Sequence, residues 1–359
     1  MSYYYDIKED FKRYPNANLL IIFGGRSTGK TYSTLKYMLE NNKKFVFIKR
    51  TIDDVNLLCN GQHYGHEVKK ENKLYRIDAS PFKPINRDTG SNIKAFQYYN
   101  GVGGFYKCDP DDNTVGEPIG YLFALSAVSK FKGFDLSECE YIIFDEFCPK
   151  PYDRVNKKEG EQLLDLFKTI ERDRMHRHAP GLKLICLANA DNAVSPVTQT
   201  FGITDDIVNL SLSNKEYLFN PETGLLLHNI KMSAEFIENE SKSDIYKATK
   251  GSQWQEMALD NKFGFNDFSQ IGKTNMHRYR CFMRVKYENK YHYVYINDGK
   301  YYVTYSKSSH FTFDYDLRKD KDRYDFITRA KYDIMKKRNN VLFESYSLYY
   351  LYFKCDKIL

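Results

Sequence analysis

Gly24-Gly25-Arg26-Ser27-Thr28-Gly29-Lys30-Thr31 fits the pattern G-x-x-x-x-G-K-[ST] at every position. The glycines let a loop turn tightly with its backbone N–H groups aimed inward, where a side chain would block an approaching phosphate. A helix opening at Lys30 adds its positive end, Lys30 supplies a point charge to β- and γ-phosphate oxygens, and Thr31 offers a hydroxyl for Mg²⁺. The bland alternative is a glycine turn with an incidental lysine. An apolar strand before the loop and a helical stretch after it favour the phosphate loop, with ATP and Mg²⁺ as expected cofactors.

The second constellation is Tyr141-Ile-Ile-Phe-Asp145-Glu146. An acid at the carboxyl end of a buried strand can reach the Mg²⁺ held by Thr31, and Glu146 beside it can orient or deprotonate an attacking water. Apolar strands often end in acids, but a phosphate loop about 115 residues earlier makes the pair specific. The Asp-Glu doublet also favours hydrolysis over transfer, since a kinase would place its acceptor where Glu146 stands. Arg172 and Arg174, in Thr169-Ile-Glu-Arg-Asp-Arg-Met, end a helical stretch. A guanidinium reaching the γ-phosphate accelerates hydrolysis, while the structural alternative is cations complementing a helix C-terminus. Asn189 follows an apolar strand, where its amide could sense the γ-phosphate or the lytic water, or form a turn.

These residues need a scaffold that brings them together. The runs Asn18–Phe23, Lys44–Lys49, Glu140–Phe144 and Leu182–Leu187 read as buried strands. Thr31–Asn41 reads as a helix, and Leu163, Leu166, Phe167 and Ile170 fall on one helical face within Glu161–Met175. The order is β-α-β, insertion, β-α-β, an α/β domain with a mainly parallel sheet over residues 1–200. Residues 60–120 read as hairpins and loops inserted at a sheet edge. Gly, Pro, Asn and Ser punctuation over 201–250 predicts a linker or lid. From 251 to 359 the pattern becomes alternation, with Tyr279, Cys281, Met283 and Val285 on one face and Arg278, Arg280, Arg284 and Lys286 on the other. Asn297-Asp298-Gly299 predicts a hairpin turn.

Composition sets the class. The 359 residues suggest about two domains, and 42% hydrophobic with 28% charged residues exclude a mainly disordered chain. No apolar run reaches membrane-spanning length, the N-terminus does not resemble a secretion signal, and seven scattered cysteines without C-x-x-C spacing argue against disulfide or zinc frameworks. A cytosolic setting is expected. The net charge of +7 is uneven, because residues 271–359 hold 19 basic and 10 acidic side chains. Such an excess suits a phosphate backbone, solvated surface being the alternative.

Together with the glycine loop and the strand ending Asp145-Glu146, three further blocks make a wider pattern: Glu171-Arg-Asp-Arg174, Leu184-Ile-Cys-Leu-Ala-Asn-Ala190 and Glu256-Met-Ala-Leu-Asp-Asn-Lys-Phe263. In that order, over about residues 19–265, the chain resembles the genome-packaging ATPases of phi29-type bacteriophages. The resemblance implies a terminase-like P-loop ATPase of the additional-strand catalytic glutamate (ASCE) class. It also implies a ring, a pentamer, acting in the host cytoplasm at the portal of an empty prohead and driving double-stranded DNA inward. By position it makes Arg172 the trans-acting arginine finger, with Arg174 close by, gives Lys132 a role across the subunit boundary, and places Arg26 in the loop as large terminases do. It further implies a smaller α+β C-terminal domain similar to an RNase H-type nuclease without its catalytic acids. Residues 278–287 carry no Asp for a two-metal site, and Arg278, Arg280, Arg284 and Lys286 would suit DNA or a packaging RNA. Two rivals are another ASCE ATPase such as a helicase, and a nucleotide-gated DNA-binding module.

Overall fold

The computed structural model describes residues 4–59, 79–130, 134–150, 153, 155–172, 174, 180–252, 255, 263, 266–287 and 289–353. The chain divides into two compact units, residues 1–203 with 209–265, and residues 204–208 with 266–359.

The first unit is built on nine strands: β1 (Leu19–Gly24), β2 (Phe45–Lys49), β3 (Ile93–Tyr99), β4 (Val102–Cys108), β5 (Thr114–Ala124), β6 (Tyr141–Asp145), β7 (Lys183–Asn189), β8 (Tyr217–Asn220) and β9 (Leu225–Asn229). They form one sheet in the order β3-β4-β5-β2-β6-β7-β1-β9-β8. From β5 to β9 every pairing is parallel, and antiparallel pairs close both edges. Parallel strands covered on both faces need continuous apolar runs. Leu20–Phe23, Phe45–Ile48, Ile142–Phe144 and Leu184–Ala188 supply them, each residue at most 2% exposed.

Register carries the chemistry to one edge. Gly24 lies opposite Asn189, Asp145 opposite Leu187, and Ile48 opposite Phe144. The carboxyl ends of β1, β2, β6 and β7 therefore arrive together, where α/β sheets bind ligands. Helices α1 (Ile7–Arg13), α2 (Lys30–Glu40), α3 (Ile52–Cys59), α4 (Lys83–Thr89) and α5 (Glu159–Glu171) accompany the sheet. α5 stops four residues before the predicted end because Arg172 leaves helical geometry at φ −45°, ψ 130°. The expected linker over 201–250 differs more. β8 and β9 lie within it and extend the sheet, with Leu19 opposite Leu225. Leu225-Leu226-Leu227 is too short a run to stand out among the surrounding Gly, Pro and Asn.

The second unit holds β10 (Arg280–Tyr287), β11 (Lys290–Asn297), β12 (Lys300–Thr304), β13 (Phe313–Asp316) and β14 (Val341–Phe343), in the order β13-β10-β11-β12-β14. The turn between β11 and β12 has positive φ at Asp298 (47°) and Gly299 (75°), the two-residue hairpin geometry its sequence predicts. The alternation along β10 is interrupted by a register shift between Cys281 and Met283. Among the described residues no helix is long and apolar enough to cross a membrane.

Among the described residues each unit buries one histidine, and the two should titrate oppositely. On β9, His228 Nδ1 lies 2.8 Å from Asp10 Oδ2 and Nε2 lies 3.6 Å from Glu216 Oε1. Burial disfavours its cation, but the two carboxylates outweigh burial and hold its pKa above the usual 6.5. His228 therefore adds stability that is complete below 6.5 and fades as pH rises through the raised value. On β11, burial against Tyr352 (Nε2 to Oη, 3.0 Å) depresses His292 to about 3. Its contribution is complete above 6.5 and fades as pH falls towards about 3. In an NMR titration of the ring nitrogens, His228 should still be protonated at pH 6.5 and His292 neutral at about pH 5. A neutral His228 at pH 6.5 would contradict the ion pair.

Candidate active site

The loop between β1 and α2 is shaped by its glycines. A Cβ on Gly24 would lie 2.9 Å from Ile230 Cβ, and Gly29 has φ +87°. Thr28 Oγ1 donates to Gly25 O (3.1 Å), which draws the loop closed. Lys30 is buried, and its Nζ donates to Gly25 O (2.8 Å), Thr28 Oγ1 (3.2 Å), Gly24 O (3.3 Å) and Asn189 Oδ1 (3.3 Å). Burial lowers its pKa to about 8, with Asp145 and Asp191 opposing the shift. It remains mostly protonated at neutral pH. A covered ammonium whose hydrogen-bond partners are carbonyl, hydroxyl and amide oxygens fits an incoming phosphate.

Across the site, Thr31 Oγ1 donates to Asp145 Oδ1 at 2.8 Å, joining α2 to the end of β6. A hydroxyl beside a carboxylate is a donor pair that suits Mg²⁺, which keeps other positions for water and phosphate. Among the described residues no group of three or more His, Cys, Asp or Glu could hold a metal by itself. A cavity of about 200 Å³ is lined by the loop from Ser27 to Tyr32 together with Asp145, Glu146 and Leu187–Asn189. Glu146 borders it with φ 58°, a left-handed backbone uncommon outside glycine.

Of the predicted residues, Gly24, Gly25, Ser27, Thr28, Gly29, Lys30, Thr31, Asp145, Glu146 and Asn189 lie in or beside this site. Arg26 Nη2 lies 3.8 Å from buried Asp191. Arg174, kept beside Arg172 as a second candidate finger, takes the structural alternative. Its guanidinium is buried and donates to the carbonyls of Ile170, Pro180, Ser137 and Cys139, so it is committed to the fold and is not free to act as a finger. Arg172 is exposed at the C-terminus of α5. Lys132 and most of the 256–263 block lie outside the described residues.

On the second unit, Arg278 and Arg280 are exposed. Arg284 is instead engaged by Asp314 through two hydrogen bonds of 2.9 and 2.6 Å and stacks 4.4 Å from the Phe311 ring centroid. Lys286 lies over Tyr291 at 5.2 Å. The stripe therefore offers less free charge than alternation predicts, because β13 places Asp314 opposite Arg284.

Three residues were not picked out from the sequence. Lys49 Nζ donates to Asp145 Oδ2 (2.8 Å) and Glu146 Oε2 (3.2 Å). Burial disfavours its charge, but the two acids outweigh burial and raise its pKa. Arg50 and the buried Glu159 pair beside it. The signal was a Lys-Arg doublet ending a buried strand, the rule that found Asp145.

Comparison with known proteins places the chain among DNA packaging proteins. A family model for the podovirus DNA encapsidation protein (Gp16) matches residues 114–358. The DNA packaging protein of Bacillus phage B103 is 26% identical over 253 residues, covering 68% of this chain and 64% of that protein. That of Bacillus phage phi29 is 24% identical over 250 residues, covering 68% and 62%. The chain thus spans less than two thirds of the length of these relatives. Among solved structures, the bacteriophage Phi-29 viral genome packaging motor assembly aligns over 98% of both chains with a TM-score of 0.64 at 16% identity. The Phi-28 gp11 DNA packaging motor aligns over 95% of this chain and 94% of that one, with a TM-score of 0.56 at 16% identity. At such identities the likeness is one of fold.

Proposed function

The chain belongs to the podovirus DNA encapsidation protein (Gp16) family, and from that premise we propose that it is an ATP-hydrolysing motor that moves double-stranded viral DNA through a portal into a preformed prohead. The observation that carries the reading is the 2.8 Å contact between Thr31 and Asp145, with Lys30 buried beside it. It joins the phosphate loop to the Asp-Glu strand across 114 residues. The position of β7 between β1 and β6 supports the ASCE assignment.

In this mechanism Lys30 and the loop amides bind the phosphates, and Asn189 faces the same cavity from β7. Thr31 and Asp145 would hold Mg²⁺, which supplies charge neutralisation when bound. Glu146 takes the proton of the attacking water as general base. That role favours hydrolysis over a purely nucleotide-gated binding module. Arg172 of a neighbouring subunit in a ring, a pentamer, meets the charge that develops on the γ-phosphate, and Lys132 acts across the same boundary. Exposed Arg278 and Arg280, with Lys286, contact the nucleic-acid backbone, DNA or a packaging RNA. The second unit is read as an RNase H-type sheet without nuclease activity, a reading supported by the commitment of Asp314 to Arg284.

The test is a packaging assay. Proheads, viral DNA, ATP and the purified chain are mixed, nuclease is added, and protected DNA is measured. Protection of genome-length DNA that requires ATP is expected. Protection that is absent, or equal without ATP, would refute the motor.

A further inference from the structure

We propose that Arg50 is the positioning residue that sets the direction of Glu146. The proposal rests on the reading of Glu146 as general base. The Glu146 side chain is 65% exposed and its carboxylate meets only Lys49 among the described residues. Beyond that one contact, its direction is set by its backbone, which is held at φ 58°. Arg50 grips that turn. One nitrogen, Nη2, donates to Glu146 O (3.1 Å) and Phe147 O (3.0 Å), while Nε donates to both carboxylate oxygens of Glu159 (3.0 and 3.1 Å). Nη1 lies 3.9 Å from Asp153. The side chains of Arg50 and Glu159 are 12% and 3% exposed.

The guanidinium thus clasps three element ends: β2, which it follows directly, the turn after β6, and the first residue of α5. A flat fork can serve two carbonyls and a carboxylate at once. An ammonium with one nitrogen cannot span them. A left-handed residue persists only where its surroundings over-determine it, and the Arg50 clasp provides those surroundings on the carbonyl side. On the opposite edge of the same peptide group, Phe147 N–H donates to Leu187 O (3.1 Å).

The test uses the full chain with Arg50→Lys, Arg50→Ala, Glu159→Gln, Glu146→Gln and the double variant Arg50→Lys/Glu146→Gln. Turnover is measured alongside affinity for a fluorescent ATP analogue and thermal melting. Arg50→Lys should fold and bind nucleotide within about twofold of the parent while kcat falls about tenfold to a hundredfold, the scale expected of a misplaced catalytic group. In the Glu146→Gln background the same change should cost little more, because it acts through Glu146. If Arg50→Ala does not fold, Arg50→Lys and Glu159→Gln carry the result. Parent-like kcat in Arg50→Lys, or a full multiplicative loss in the double variant, overturns the positioning role alone. Equal turnover of the parent and Glu146→Gln overturns the general-base reading and the proposal with it.

Discussion

Glu146→Gln should bind ATP about as well as the parent and hydrolyse it some ~10²–10⁴ times more slowly. The amide keeps the shape and length of the side chain and so the turn that Arg50 holds, but it cannot take a proton from water. The side chain is exposed, so stability should change by no more than about 0.5 kcal/mol. Lys30, Thr31 and Asp145, which hold the phosphates and metal in this mechanism, are untouched. A single-turnover experiment separates the steps, with fluorescence reporting binding and acid quench reporting cleavage. Rapid cleavage in this variant would remove Glu146 from the mechanism.

Arg172→Ala should lower hydrolysis by about 10³–10⁵, the range for a guanidinium that meets transition-state charge. It should not alter the melting temperature, because Arg172 is exposed at the end of α5. Arg174→Ala is the contrast. It removes the donor serving four buried or half-buried carbonyls and should cost several kcal/mol of stability. If Arg172 acts on a neighbour's nucleotide, mixing inactive Arg172→Ala with inactive Glu146→Gln should restore activity, since some sites then combine an intact Glu146 with an intact Arg172. No recovery in assembled mixtures would argue that Arg172 works within its own subunit or not at all.

The fold and much of the site were readable because their signals are local. Continuous apolar runs bounded by glycine identify β1, β2, β6 and β7, and the G-x-x-x-x-G-K-[ST] spacing identifies the loop. What the sequence concealed depends on strand order. Lys49 and Arg50 matter because β2 lies beside β6, and no local pattern contains that adjacency. Arg174 looked like half of an arginine pair because its carbonyl partners at Ser137, Cys139 and Pro180 are nonlocal. Arg284 looked free because Asp314 reaches it through a parallel pairing 30 residues away. The β8–β9 hairpin was hidden by turn residues that belong to its ends.

The central claim is that hydrolysis at the β1–β6 site drives movement on duplex DNA, and the steady-state ATPase rate of the full chain with and without that DNA tests it most directly. The expected result is Mg²⁺-dependent hydrolysis that duplex DNA stimulates and added salt suppresses. A rate unaffected by DNA across the salt range, or no hydrolysis at all, would contradict it.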